Sequence, residues 1–319
     1  MVSAKPGRIW GCFGCMQEKH TLFSTAIAVL FIFTTGICFA SDSGSSVVDI
    51  LDKARIDWTA GYYYATGEGA MPSDEEEPNR AKAYLKAKSY ARMAAIANLF
   101  MAIEGTSISY YAVGKDYMVT DTLLRQRIEG YVANVEAVDE KRESVGGDTL
   151  VSVTVRCPMF GANGPGGAIL RSKSVPLSPS GVKIDKRLDS DVVAIDSSSS
   201  GPYTSLLVDC TGLQIQRALA PKLRRPSGEE ALGTVEWNVD ILVDKGLVAY
   251  ATTLEQALGL PRAGSAPLLV RAIARAGGTS KCDPVISDAD ADRIKIENET
   301  ARFLENCSII FIVGPGSNQ

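Results

Sequence analysis

Apolar and polar residues begin to alternate near residue 55. Ile56, Trp58, Ala60, Tyr62 and Tyr64 interleave with Asp57, Thr59, Gly61 and Tyr63, which predicts one strand over residues 55–68. Pro72, Ser73 and the acid run 74–77 close it. The period then changes to that of a helix over residues 79–103. Tyr84, Ala87, Ala91, Ala94, Ala95, Asn98 and Ala102 fall on one face at three- and four-residue spacing. Because most of them are alanine, the helix axis can lie close to a sheet. Gly105 is the expected helix stop.

A shorter helix is expected over residues 116–128, and Gly130 then opens a hairpin. Its strands are residues 131–143 and 149–157, and Gly146-Gly147-Asp148 is the turn. Residues 161–202 break every pattern with GANGPGG, PLSPSG and SSSSGP, and read as a linker. Strand patterns resume at residues 203–210, 247–252 and 268–276, with an extended stretch at 219–223 around Pro221. A helix is expected over residues 287–305, followed by a buried strand over 308–313, SIIFIV. The fold class expected is α+β. Two small α/β-sandwich-like domains, residues 48–160 and 203–314, are joined by the Gly/Ser/Pro-rich linker 161–202 after a signal peptide, residues 1–40.

The signal peptide rests on Lys5, Arg8 and Lys19, the uncharged run 21–40, and small residues at Cys38 and Ala40. The expected cut lies between Ala40 and Ser41, which makes the protein an exported one of the periplasm or the periplasmic face of the outer membrane. The alternative is an inner-membrane anchor through residues 21–40, since about 20 apolar residues can span a bilayer. Ile37 before Cys38 is a poor fit to a lipid-attachment signal. Cys12 and Cys15 form an incidental C-x-x-C in the basic leader.

The 319 residues are 45% apolar and carry a net charge of -4, enough for packed cores and too acidic for a generic nucleic-acid binder. The single histidine, His20, precedes the expected cut, so Ser-His-Asp and His-ligated metal chemistry are excluded from the mature chain. Asp288, Asp290, Asp292 and Glu299 fit a calcium-loop spacing, but Arg293 stands where the loop needs glycine. Ser287 as N-cap, with the aspartates in the first turns, is the reading preferred. Nothing in the spacing of Asp57, Glu68, Asp209 or Glu236 selects a carboxylate pair for glycoside chemistry. No catalytic set, no metal and no cofactor is expected.

Two features remain as candidates. Arg80, Lys82, Lys86, Lys88 and Arg92 form a basic patch that would suit an anionic envelope surface, against the plainer reading of a solvated face. Cys282 and Cys307 each precede an expected strand, with a helix between. A βαβ crossover would make those strands parallel and place both cysteines at one end of the sheet. Neighbouring strands would bring them within disulfide range, whereas the alternative is two buried thiols.

The strings IDWTAGYYYATGEGAMP, ARMAAIANLFMAIEGTSI, IEGYVANVEAV and VRCPMFG resemble the LPP-twenty lipoprotein family of bacterial envelopes, related to the N-terminal domain of flagellar assembly protein T. The resemblance covers about residues 50–161, with Gly67 and Gly69 ending the first strand, Asn98-Leu99 late in the helix, and Gly130-Tyr131-Val132 after it. The second half is similar to a partner domain that follows this module. The resemblance implies a non-enzymatic exported protein that works through contacts with envelope proteins or itself, in a flagellar or outer-membrane accessory setting. The alternative is a periplasmic binding module for an envelope glycan or lipid.

Overall fold

The structure, a computed structural model, describes residues 46–111, 122–133, 135–171, 183–187, 202–232, 235–278 and 281–315. The expected signal segment with Ala40 and Ser41, the start of the expected helix 116–128 and most of the expected linker lie outside these residues.

The first half opens with β1 (Val48–Ile50), β2 (Ala54–Asp57) and β3 (Tyr62–Ala70). Helices α1 (Arg80–Tyr111) and α2 (Thr122–Ala133) follow, and then the hairpin β4 (Glu136–Val145) and β5 (Asp148–Pro158). The five strands make one antiparallel sheet in the order β1-β2-β3-β5-β4. Gly146 and Gly147, both at positive φ, form the β4–β5 turn, because side chains rarely adopt that conformation.

The expected strand 55–68 is instead a hairpin. Asp57 receives the Gly61 N–H on its carbonyl (2.8 Å) and the Ala60 N–H on Oδ1 (2.8 Å), and Gly61 turns the chain at φ +70°. This turn reverses the phase of the alternation. Tyr63, Ala65, Gly67 and Gly69 face inward, whereas Tyr62 and Tyr64 are only half-buried. Gly105 does not stop α1: the neighbouring Ile103 and Thr106 are buried and keep that turn docked. Gly130 likewise lies inside α2, between the buried Ile128 and Val132.

The glycine-rich stretch after residue 161 folds. Helix α3 (Pro165–Arg171) begins on a proline, whose fixed φ suits a helix start. Residues 164–170 are buried. A Cβ on Gly167 would stand 2.8 Å from Val243 Cγ1, and one on Gly166 would stand 2.6 Å from the Met159 carbonyl oxygen. These glycines permit close packing, which composition alone cannot distinguish from flexibility.

The rest of the chain adds β6 (Ile184–Arg187), β7 (Ser205–Asp209), α4 (Val239–Lys245), β8 (Ala249–Ala251), α5 (Leu254–Gly259) and a 3-10 turn at Pro261–Ala263. It closes with β9 (Pro267–Arg271), β10 (Ala274–Ala276), β11 (Pro284–Val285), α6 (Asp288–Ala301) and β12 (Ile309–Ile312). Strands β8-β12-β7-β9 form an all-parallel sheet, and β11-β10-β6 a small antiparallel one. The expected strand 268–276 is therefore two strands in two sheets, passing from one to the other at Ala272-Ile273. Mixed helices and sheets in both halves make the chain α+β, as the periodicity implies.

One apolar core runs from Ile56 and Tyr63 in the first sheet to Leu206 and Phe311 in the parallel sheet. Trp58 meets Tyr250 edge-to-face at 5.4 Å between centroids, an arrangement aromatic quadrupoles favour. Beside them, Asp49 accepts the Trp58 indole N–H at 2.6 Å and pairs with Arg217. Tyr250 donates its hydroxyl to the Ala218 carbonyl and accepts the Ala218 N–H, both at 2.9 Å.

Candidate functional site

Helix α1 organises the first half because its inner face is almost free of side chains. A Cβ on Gly67 would stand 2.1 Å from Ala95 N, and one on Gly69 would stand 2.2 Å from the Ala87 carbonyl oxygen. Backbone therefore rests on backbone, with Ala87, Ala91 and Ala95 as the contact row. Asn98 donates Nδ2 to the Thr66 carbonyl at 2.8 Å and fixes the helix along the strand. The expected buried face is present with a small rotation: Ala83, Leu99 and Ile103 are fully buried, whereas Tyr84 and Ala94 are only half-buried.

All five residues of the expected basic patch lie on α1, and each has a partner within the molecule. Arg80 donates to the Pro72 carbonyl at 2.9 Å and pairs with Asp74 at 2.7 Å. Lys82 and Lys86 both reach Glu77 Oε2, at 3.1 and 2.6 Å. Hydrogen bonds from Lys86 and Lys82 hold the Glu77 carboxyl below the usual carboxylate range. Lys88 pairs with Glu140 at 2.7 Å, and Arg92 donates to the Val135 carbonyl at 2.9 Å. Lys88 and Arg92 also line a shallow groove of about 290 Å³ against Val138, Glu140 and Val153. The patch thus ties α1 to the acid run before it and to β4. β4 itself is exposed along its whole length, charged at six of its ten positions and broken in register at Val138. Those devices blunt an open sheet edge.

The opposite, solvent side of α1 mixes Lys82, Lys86 and Ser89 with Leu85 and Tyr90 in its first half and is apolar from Met93 to Met101. Leu85, Tyr90, Met93 and Met101 are 61%, 66%, 61% and 60% exposed. Residues 93–103 contain no charged side chain. The expected elements placed the inner face correctly in outline and missed this outer one. Its signal in the sequence is the uncharged run MAAIANLFMAI, in which a surface helix would ordinarily carry polar residues.

Cys282 and Cys307 are free thiols, as are Cys157 and Cys210. The premise of the expected bridge fails because β11 and β12 belong to different sheets; β12 lies between β7 and β8 instead. Burial pushes the Cys157 thiol up to about 12 and the Cys307 thiol up to about 11, and also raises Cys210 and Cys282. Thiols so shifted are poor nucleophiles near neutral pH.

The aspartates of α6 cap the helix. Ser287 accepts the Asp290 N–H at 3.0 Å, and Arg225 bridges Asp288 (2.8 Å) and Asp292 (2.6 Å). No group of three His, Cys, Asp or Glu residues suited to a metal ion occurs among the described residues. A polar cluster not foreseen joins Arg224 and Asp283, both buried. Asp283 accepts Arg224 Nε at 2.7 Å and the Lys222 N–H at 2.9 Å, and Arg224 Nη1 donates to the Gly228 carbonyl at 3.0 Å. This cluster pins the turn 222–230 to β11. Asp209 and Arg271, at the carboxyl ends of β7 and β9, pair at 2.5 Å.

Among the described helices none is long and apolar enough to cross a membrane. No curated protein matches the chain. Residues 205–315, the parallel sheet with its helices and β10–β11, match the family of the second domain of Treponema pallidum Tp0624.

Proposed function

We propose that this chain is a non-enzymatic, exported envelope protein that works by protein–protein contact, with other envelope proteins or with itself. The observation that carries the reading is the outer face of α1. A helix that is apolar on both sides from Met93 to Met101 has a second face there suited to a partner. The pairing of the basic side chains within the molecule supports it too, since they serve the fold first. The resemblance of residues 50–161 to LPP-twenty lipoproteins and to the N-terminal domain of flagellar assembly protein T supports a periplasmic site and a flagellar or outer-membrane accessory role. In this reading the leader is cleaved between Ala40 and Ser41; retention of residues 21–40 would make the protein an inner-membrane-anchored one.

Cross-linking in intact cells followed by pull-down tests the proposal, and recovery of the protein itself or of envelope proteins is the expected result. Recovery of monomer alone, with turnover of a substrate abolished by a carboxylate substitution, would overturn it. N-terminal sequencing should begin at Ser41. The groove beside Lys88 and Arg92 favours a second reading, a binding module for an anionic glycan or lipid. Ligand-dependent thermal stabilisation, lost in Arg92→Gln, would establish that alternative.

A further inference from the structure

Among the described residues, exposure sorts the sulfur atoms into two groups. Cys157, Cys210 and Cys307 are buried and Cys282 is half-buried. Burial raises all four thiols, so little of the thiolate that an oxidant attacks is present near neutral pH. A methionine thioether carries no titrating proton, so access governs its oxidation. Met159 is fully buried, and Met71 is half-buried against the core. Met93 and Met101 are exposed and stand two turns apart, about 12 Å along α1. From residue 93 to residue 101 the exposed side chains are Met93, Ala97 and Met101. Both large exposed apolar groups of that stretch are therefore thioethers.

We propose that Met93 and Met101 form an oxidant-sensitive site, at which sulfoxide formation turns the apolar stretch of α1 polar. The oxidant class is a small two-electron oxidant, of which hydrogen peroxide is the simplest. The sulfur lone pair attacks one peroxide oxygen, an S–O bond forms and the O–O bond breaks. The departing hydroxide takes the proton of the transferred oxygen. Each sulfur loses two electrons and the peroxide gains them, so that methionine and hydrogen peroxide become methionine sulfoxide and water. The sheet side of the helix, with Ala87, Ala91, Ala95 and Leu99, holds no sulfur, so the added oxygens leave the fold intact. The change falls instead on the face offered to a partner. The oxidation needs only exposure, whereas its effect on partner binding rests on the contact-based reading above.

Peptide mapping by mass spectrometry on the folded full chain tests the site. After brief treatment with hydrogen peroxide, Met93 and Met101 should gain one oxygen roughly tenfold faster than Met159, with Cys157, Cys210, Cys282 and Cys307 still reduced. Unfolding in urea should abolish the difference. Oxidation should lower the binding of a hydrophobic dye and leave the circular dichroism unchanged. The double variant Met93→Leu, Met101→Leu should keep its dye binding through the same treatment. Met159 oxidised as fast as Met93 and Met101 in the folded chain, or dye binding unmoved by their oxidation, overturns the proposal. A photo-cross-linker at position 97 in cells separates the site from the contact reading. Linkage to a partner that peroxide abolishes in the parent and spares in the leucine variant supports both. Linkage that survives peroxide in the parent overturns the effect on partner binding. Linkage to no protein in untreated cells ends the contact reading and leaves the oxidation site, as the peptide map defines it, standing.

Discussion

Where α1 lies on β3, glycine backbone meets alanine backbone, and Gly67 and Gly69 sit against Ala95 and Ala87 with no side chain between. In the parallel sheet, Leu206, Ile310, Phe311 and Tyr250 fill the same kind of space with full-sized side chains. The two regions should therefore fail in opposite ways. The parallel sheet is sensitive to lost volume, because a close-packed interior collapses only partly around a cavity. The α1–β3 contact is sensitive to added volume, because the obstructing atoms belong to two backbones that cannot swing aside.

The most damaging change should be Phe311→Ala. The side chain is fully buried, and its loss should cost about 3–5 kcal/mol, measured as a lowered denaturant midpoint. A cost below about 1 kcal/mol would mean that the parallel sheet collapses around the gap and the contrast fails. Next is Gly67→Val, expected to cost roughly 3 kcal/mol by lifting α1 from the sheet. Its companion is Gly105→Ala. That glycine is also in α1 but has open space at the Cβ position, so the substitution should stabilise by about 0.5–1 kcal/mol. If both glycine variants behave alike, helix propensity and not the close approach governs α1.

Smaller effects sharpen the comparison at the helix ends. Ser287→Ala removes the side-chain cap of α6 and should cost about 1 kcal/mol in equilibrium unfolding. At the start of α1, the lysines favour ionised Glu77 in the folded state. The stability contributed is present above the carboxylate range of the unfolded chain and is lost as pH falls through the lower folded value. Glu77→Gln should flatten the acid limb of the stability profile. An unchanged limb would assign the acid sensitivity to other carboxylates.

The alanine row 87, 91 and 95 was legible in the sequence because a helix repeats every 3.6 residues and alanine admits a close neighbour. The Ser287 cap was legible as well, since an N-cap acts on residues two or three positions ahead. The hairpin within residues 55–68 was hidden, because Tyr62, Tyr63 and Tyr64 suit either phase of alternation. Only Gly61 at positive φ fixes which tyrosine turns inward. The disulfide expectation failed for a related reason. Two strands separated by a helix are parallel neighbours only if they join the same sheet, and the choice of sheet is made by contacts far apart in sequence. The Arg224–Asp283 pair likewise joins residues 59 positions apart, with no local signal.

By itself, the sequence determined what depends on neighbours along the chain: element types, the alanine face, the Gly146-Gly147 turn and the cap of α6. Periodicity, backbone freedom and short hydrogen bonds act within a few residues, so they are written locally. Only the tertiary structure decided which glycines pack, which sheet each strand enters, and how the cations of α1 find their carboxylates. It also decided that Leu85, Tyr90, Met93 and Met101 face outward. Where a helix has two apolar sides, as α1 has from Met93 to Met101, it can bury either one, and here the sheet takes the side whose residues are small enough to let the backbones touch.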